Sequence, residues 1–266
     1  MEQEDENGKL LIDSVQLRFG DNVVLQSAYV TSYKGRVTGV LGRNGTGKSC
    51  LFKCIMGGIR PQNKYVRLNS EPRTDYGHIG LRVRYLPQER FIPSGMTLPQ
   101  AYELYGVDYE GLVRFAEQFD CFRNTKVKTL SGGECRLAEL YLVLNSDVEF
   151  CILDEPFSNI APIYDEKIRA LIQEQKANKG IIITDHIYKE ILKAADDLYL
   201  LRDGFTYQIH SRDDLVRLGY ILLGFLPKCP TPSLLTVLVG PMSVGHNPCM
   251  SMCPTVTRVR AYSRWG

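Results

Sequence analysis

Polar and apolar residues alternate over positions 10–30, with Leu11 and Ile12, Val15, Leu17 and Phe19 followed by Val23, Val24 and Leu25. A period of two predicts antiparallel strands with one buried face. Val37–Leu41 is a short unbroken apolar run that leads straight into a glycine-rich segment, and Cys50–Met56 has helical spacing until Gly57 and Gly58 stop it. Leu81–Leu86 reads as a strand closed by Pro87. From Thr97 to Leu144 apolar and aromatic side chains recur every three or four residues (Tyr102, Tyr105, Leu112, Phe115, Phe119), which predicts a helical lobe. Phe150–Leu153 and Gly180–Thr184 read as buried strands on either side of an amphipathic helix over Ile163–Lys176. Leu198–Leu201 and Phe205–Ile209 flank Asp203-Gly204, a hairpin turn signal. Strand and helix in alternation predict an α/β chain whose sheet is largely parallel, with the helical lobe inserted in its middle.

Three runs carry the chemistry. GRNGTGKS, Gly42–Ser49, lies between a predicted strand and a predicted helix. That context suits a phosphate loop, in which Gly42, Gly45 and Gly47 let backbone amides turn toward an anion. Arg43, Asn44, Thr46 and Cys50 complete the loop and its first helical turn. Lys48 is placed to reach β- and γ-phosphates and the Ser49 hydroxyl to ligate Mg²⁺. Asp154 ends the apolar strand Phe150–Leu153, where a carboxylate can hold Mg²⁺ through water. Glu155, one residue on, is a candidate general base for an attacking water. In LSGGE, Leu130–Glu134, the Ser131 hydroxyl, the amides of Gly132 and Gly133, and Glu134 open a helix and offer a second anion site. One chain has no use for two anion sites on a single γ-phosphate, whereas two chains related by a two-fold axis do.

A phosphate loop followed by LSGGE and then by FCILDEP resembles the nucleotide-binding domain of ATP-binding cassette (ABC) proteins over residues 10 to about 210. The resemblance implies an α/β P-loop NTPase fold: a mostly parallel core sheet, an antiparallel β subdomain, and an inserted α-helical subdomain at about 97–145. It implies a Mg²⁺-dependent ATPase in which Ser131–Gly133 of one cassette contact the γ-phosphate held by Lys48 of another. Gln88, in RYLPQER, matches the glutamine that senses Mg²⁺ and faces a membrane subunit. His186, in IIITDHIYKE, matches the switch histidine, and Phe19 the aromatic that stacks on adenine. Ala161 stands where the family usually has an aspartate that couples two sites across the dimer. The implied function is the ATP-binding and hydrolysing subunit of an ABC transporter, working as a dimer on separately encoded permease subunits. Its place would be cytoplasmic, on the inner face of the membrane. Phe91, Ile92 and Met96 would then either line a groove for a permease helix or belong to the core of the helical lobe. The alternatives are a soluble ABC ATPase that transports nothing and a weakly hydrolysing regulatory cassette of a heterodimer.

Composition changes this picture at the ends. The chain of 266 residues carries a net charge of +2, which makes no case for nucleic acid as partner. From Ile221 to Gly266 there are four basic residues, no acid, six of the 13 prolines and three of the eight cysteines. Its apolar pieces are interrupted by Pro227, Pro230, Pro232 and Pro241 and fall short of a membrane span. Residues 10–220 are expected to form the ATPase domain, 221–266 a disordered or non-native tail, and 1–9 an acidic extension without the apolar stretch of a signal peptide.

Overall fold

The structure, a computed structural model, describes residues 8–69, 71–72, 76–185 and 188–221. All of these belong to the first of the two units into which the chain divides, Met1–Phe225. His186, the acidic N-terminal residues 1–7 and the tail from 222 onward lie outside the described residues.

Strands β3 (Val37–Leu41), β7 (Phe150–Asp154) and β8 (Gly180–Thr184) are buried at every residue, which explains their unbroken apolar sequences. They pair in parallel with one another, with β6 (Val83–Leu86) and with β9 (Asp197–Arg202), giving the order β9-β3-β8-β7-β6. Alternate residues face two separate cores. Val40, Ile152 and Ile182 pack toward α1 (Lys48–Ile55) and the antiparallel strands. Leu41, Leu153, Ile181 and Ile183 pack on the other face against the inserted lobe and the helices beyond it.

The antiparallel part is β1 (Lys9–Phe19) beside β2 (Asn22–Tyr33) and β4 (Asn63–Leu68), with the short β5 (Glu71–Pro72) at the edge. The predicted alternation over 10–30 is therefore the β1–β2 hairpin. Strand β10 (Phe205–Ile209) joins the two sheets. It returns antiparallel from β9 through Asp203 and Gly204, both at positive φ, and pairs in parallel with β2 at Phe205 and Ser27.

The helical lobe is inserted between the neighbouring strands β6 and β7. Thr97 and Gln100 form a capping box at the start of α3 (Leu98–Leu104). Asp108 caps α4 (Tyr109–Phe115), and Ser131 caps the long buried α5 (Gly132–Asn145). Tyr102 fills the centre, its hydroxyl donating to Ala138 O at 2.7 Å and its ring set edge-on to Tyr109. Ile92 is buried in this lobe and Phe91 lies edge-on to Tyr105, so of the two readings for that stretch the core one accounts for these side chains.

Two expected boundaries move. Leu81 is not in a strand: it lies in α2 (Tyr76–Arg82), 72% exposed, and β6 starts at Val83, the first residue of that stretch to meet β7. The helix expected over Ile163–Lys176 begins as a 3-10 turn at Pro162–Tyr164 and becomes α6 (Asp165–Gln175). Helices α7 (Tyr188–Ala194) and α8 (Arg212–Arg217) complete the described residues.

Glu149 ties the antiparallel part to the parallel sheet. Its carboxylate pairs with Lys34 at 2.7 Å and with Arg82, and accepts from Asn69 Nδ2 at 3.4 Å. Burial pushes this carboxyl's pKa up, but the hydrogen bonds from Arg82, Lys34 and Asn69 outweigh burial and hold it below the ordinary value. A depressed carboxylate stabilises the fold fully above the unfolded pKa of about 4.3, and that contribution is lost as pH falls through the folded value. Glu149→Gln is therefore expected to cost about 1–2 kcal/mol at pH 7. In denaturant titrations the gap to the wild type should close as the pH falls below that range. A gap independent of pH would contradict this account.

Candidate functional site

Strand β3 delivers the chain into the loop Gly42–Ser49, and α1 opens at Lys48 with Gly47 as its N-cap. Gly45 and Gly47 have φ of 82° and 99°, a region open to glycine at little cost. A Cβ on Gly42 would lie 2.7 Å from Thr46 Oγ1 and 2.9 Å from Leu201 O, so the loop can close only with glycine there. Lys48 is 6% exposed, and its Nζ donates to Gly42 O at 2.8 Å and Arg43 O at 3.1 Å. Burial lowers its pKa, while Glu155, Asp154 and Asp185 pull it back up. The lysine thus faces the acidic side chains of Glu155, Asp154 and Asp185.

Those carboxylates come from the C-terminal ends of adjacent strands. Asp154 is fully buried and accepts from Tyr85 Oη at 3.1 Å. Burial raises its pKa, opposed by hydrogen bonding from Ser49 and Tyr85. Asp154 Oδ1 and the hydroxyl of Thr184, its partner across β7 and β8, are buried without a hydrogen-bond partner. A carboxylate oxygen left unmatched beside a serine hydroxyl is a hard-oxygen environment that would suit Mg²⁺. No group of three His, Cys, Asp or Glu side chains that could hold a metal occurs among the described residues.

Glu155 has φ of 54°, unusual for a residue with a side chain. Its amide donates to Thr184 O at 2.7 Å, and its carbonyl accepts from Arg136 at 3.0 Å and from Ser158 N at 3.2 Å. These bonds hold the left-handed turn at Glu155. Asp185 Oδ2 accepts from the amide of Phe157.

The second group of sequence-predicted residues gathers elsewhere. Gln88, Gly132 and Gly133 line a cleft of about 340 Å³ together with Arg90, Glu139 and Asn159. Ser131 and Glu134 form a reciprocal cap: Ser131 N donates to Glu134 Oε2 at 2.8 Å and Glu134 N to Ser131 Oγ at 3.3 Å. The Glu134 carboxylate is thus engaged with its own helix start, and the amides of Gly132 and Gly133 open α5. Gly133 packs so close to Asn159 O that a Cβ would stand 2.8 Å from it. Phe19, 52% exposed, ends β1 on the hairpin whose Val24 packs against Gly47. Arg43 and Asn44 are exposed on the loop, Cys50 is half-buried on α1, and Ala161 is exposed ahead of its 3-10 turn.

Sequence reasoning missed the side chain that connects the two groups. Arg136, 5% exposed, donates to Pro87 O, Asp154 O and Glu155 O. The signal was an arginine within an apolar helical stretch. Tyr85, Thr184 and Asp185 were missed as well.

The family model described as ABC transporter matches residues 25–158, from β2 through the phosphate loop, LSGGE and the Asp154-Glu155 pair. The chain belongs to the ABC transporter family. It is similar to the lipopolysaccharide export system ATP-binding protein LptB of Acidithiobacillus ferridurans, 32% identical over 73% of this chain and 86% of that one. It is also similar to a probable ABC transporter ATP-binding protein of Azorhizobium caulinodans, 30% identical over 74% and 75%. A solved ATP-binding subunit of an ABC transporter superposes with a TM-score of 0.70 at 21% identity over 79% of this chain and 93% of that one, so the fold is shared. A nucleotide-free ATP-binding cassette from an ABC transporter superposes with a TM-score of 0.66 at 19% identity, over 81% and 96%. The mostly parallel core, antiparallel sheet and inserted helical lobe are thus those of an ABC ATP-binding cassette. Among the described residues no helix is long and apolar enough to cross a membrane.

Because the guanidinium of Arg136 serves three carbonyls at once, Arg136→Met should destabilise the protein by about 2–4 kcal/mol in urea denaturation. Arg136→Lys should recover less than half of that loss, since one ammonium cannot span the three acceptors. Full recovery by lysine would contradict the bridging role.

Proposed function

We propose that this chain binds and hydrolyses Mg²⁺-ATP as the motor subunit of an ABC transporter, in a dimer whose two nucleotides are each completed by the opposite copy. The observation that carries the reading is the division of the machinery. Lys48, Ser49, Asp154 and Glu155 gather beyond the carboxyl ends of β3 and β7, whereas Gly132 and Gly133 open α5 at a cleft lined by Gln88, Arg90 and Arg136. A γ-phosphate held by Lys48 then gains its remaining donors from Ser131–Gly133 of a second cassette.

In this reading the amides of Gly42–Gly47 and the Lys48 ammonium hold the β- and γ-phosphates. Ser49 and Asp154 would hold Mg²⁺, with Gln88 reaching it from the cleft beside α5, and the ion would supply neutralising charge for the phosphates. Glu155 takes the proton from the attacking water, and His186 contacts the γ-phosphate after β8. Phe19 stacks on adenine, while Arg43, Asn44, Thr46 and Cys50 surround the nucleotide. Separately encoded permease subunits receive the movement, which places the chain at the cytoplasmic face of a membrane. The domain spans 10–220. Ala161 is the one observation that favours a regulatory cassette with a more active partner.

Steady-state hydrolysis and nucleotide binding test the roles together. Glu155→Gln should lose hydrolysis by at least about a hundredfold while still binding ATP. Lys48→Ala should lose binding itself, and chelating Mg²⁺ with EDTA should silence the wild type. A Glu155→Gln protein as active as the wild type would overturn the assignment of the base.

A further inference from the structure

Two side chains of α5 grip the segment that carries Gln88. Arg136 and Glu139 stand three residues apart and so share one face of the helix. Arg136 donates to Pro87 O, where the segment leaves β6. Glu139 holds the far end: its Oε1 accepts from the amide of Phe91 at 2.9 Å and from that of Ile92 at 3.1 Å. Gln88, Glu89 and Arg90 therefore form a short arc with both ends fastened to a single helix. Toward α1 the arc offers the ion pair of Glu89 with Lys53 at 2.7 Å, in which the Glu89 side chain is 66% exposed. An exposed pair of that kind is weak in water, whereas amide bonds to a buried carboxylate are strong. The arc is thus held chiefly by α5.

Glu139 is an expensive residue to place there. It is fully buried among Leu137, Ala138 and Leu140, and its second oxygen, Oε2, is buried without a hydrogen-bond partner. Burial raises its pKa, and the amides of Ile92 and Phe91, followed by the charge of Arg136, oppose that rise. A half-matched buried carboxylate is a poor source of stability compared with an apolar side chain of its size. What only an acceptor at that point can do is fix two backbone amides of the arc. We propose that Glu139 is a positioning residue for ATP hydrolysis: by locking the arc to α5, it keeps Gln88 in a fixed place relative to the amides of Gly132 and Gly133. Those three residues line the same cleft as Glu139 itself. The inference rests on reading Gln88 as part of the nucleotide site and adds to it what sets the reach of that side chain.

Glu139→Leu in the full chain keeps the volume and removes the acceptor. Hydrogen exchange of the nucleotide-free protein, followed by mass spectrometry, should speed up at least about tenfold over residues 88–92. With saturating Mg²⁺-ATP, kcat should fall about five- to tenfold while KM stays within about twofold. Glu139→Gln, which retains an oxygen for the two amides, should recover most of both losses. The pairing with Gln88→Ala separates positioning from a merely structural role: the double variant should be no slower than Gln88→Ala alone. Additive losses in kcat, or exchange and kcat unchanged in Glu139→Leu, would overturn the proposal. Should Glu139→Leu fail to fold, Glu139→Asp takes its place. It keeps the charge but is too short to reach both amides, so it should show the same losses, and wild-type behaviour there would overturn the proposal equally. If Gln88→Ala hydrolyses ATP like the wild type, the reading of Gln88 fails and this inference fails with it. If Gln88→Ala is slow while Glu139→Leu matches the wild type, only the role of Glu139 is refuted.

Discussion

A guanidinium buried to the extent of Arg136 must find acceptors for its donors, and the acceptors it finds decide the geometry of the whole cassette. It rises from the second turn of α5 and reaches the carbonyls of Pro87, Asp154 and Glu155. Those three belong to the segment after β6 and to the end of β7, the two neighbouring strands between which the helical lobe is inserted. The lobe is therefore registered on the sheet by a charge that has nowhere else to go. Fixing α5 in this way also fixes where the amides of Gly132 and Gly133 emerge, and it supports the backbone of Glu155 in a conformation that few side-chain-bearing residues adopt. Strain of that kind costs of order 1–3 kcal/mol and persists only where neighbours over-determine it.

The same logic explains why charges gather at one edge. Strands β3, β7 and β8 are buried at every residue, and the charged residue among them, Asp154, stands at the end of β7. Asp154 ends β7, Asp185 follows β8 and Lys48 opens α1 after the loop that follows β3; all three are buried, and the two acids pull up the lysine pKa that burial lowers. Ligand sites of open α/β sheets lie at the carboxyl ends of the strands for this reason. The antiparallel sheet supplies a wall on one side through Val24, and the end of α8 supplies another through Tyr220.

Much of this was legible in the sequence, and what was not has common physical roots. Fully buried parallel strands show themselves as unbroken apolar runs, Asp203-Gly204 admits few conformations other than a tight turn, and GRNGTGKS has almost no bland explanation between a strand and a helix. Helices α2, α7 and α8 span only seven, seven and six residues, too few for a 3.6-residue period to stand out. That is why Leu81 read as strand when it is the exposed end of a helix. Strand β4 was not anticipated either, its apolar positions being interrupted by Lys64 and Arg67. The largest omission, Arg136, works through a partner 49 residues distant, and no local pattern reports such a contact.

The division of the nucleotide machinery between two clusters of one chain leads to a single decisive measurement, the mass of Glu155→Gln by size-exclusion light scattering with and without Mg²⁺-ATP. Blocking hydrolysis should hold the sandwich closed, so the account predicts a monomer that becomes a dimer when ATP is added. A protein that binds ATP yet keeps the same mass would contradict a site shared between two copies of this chain.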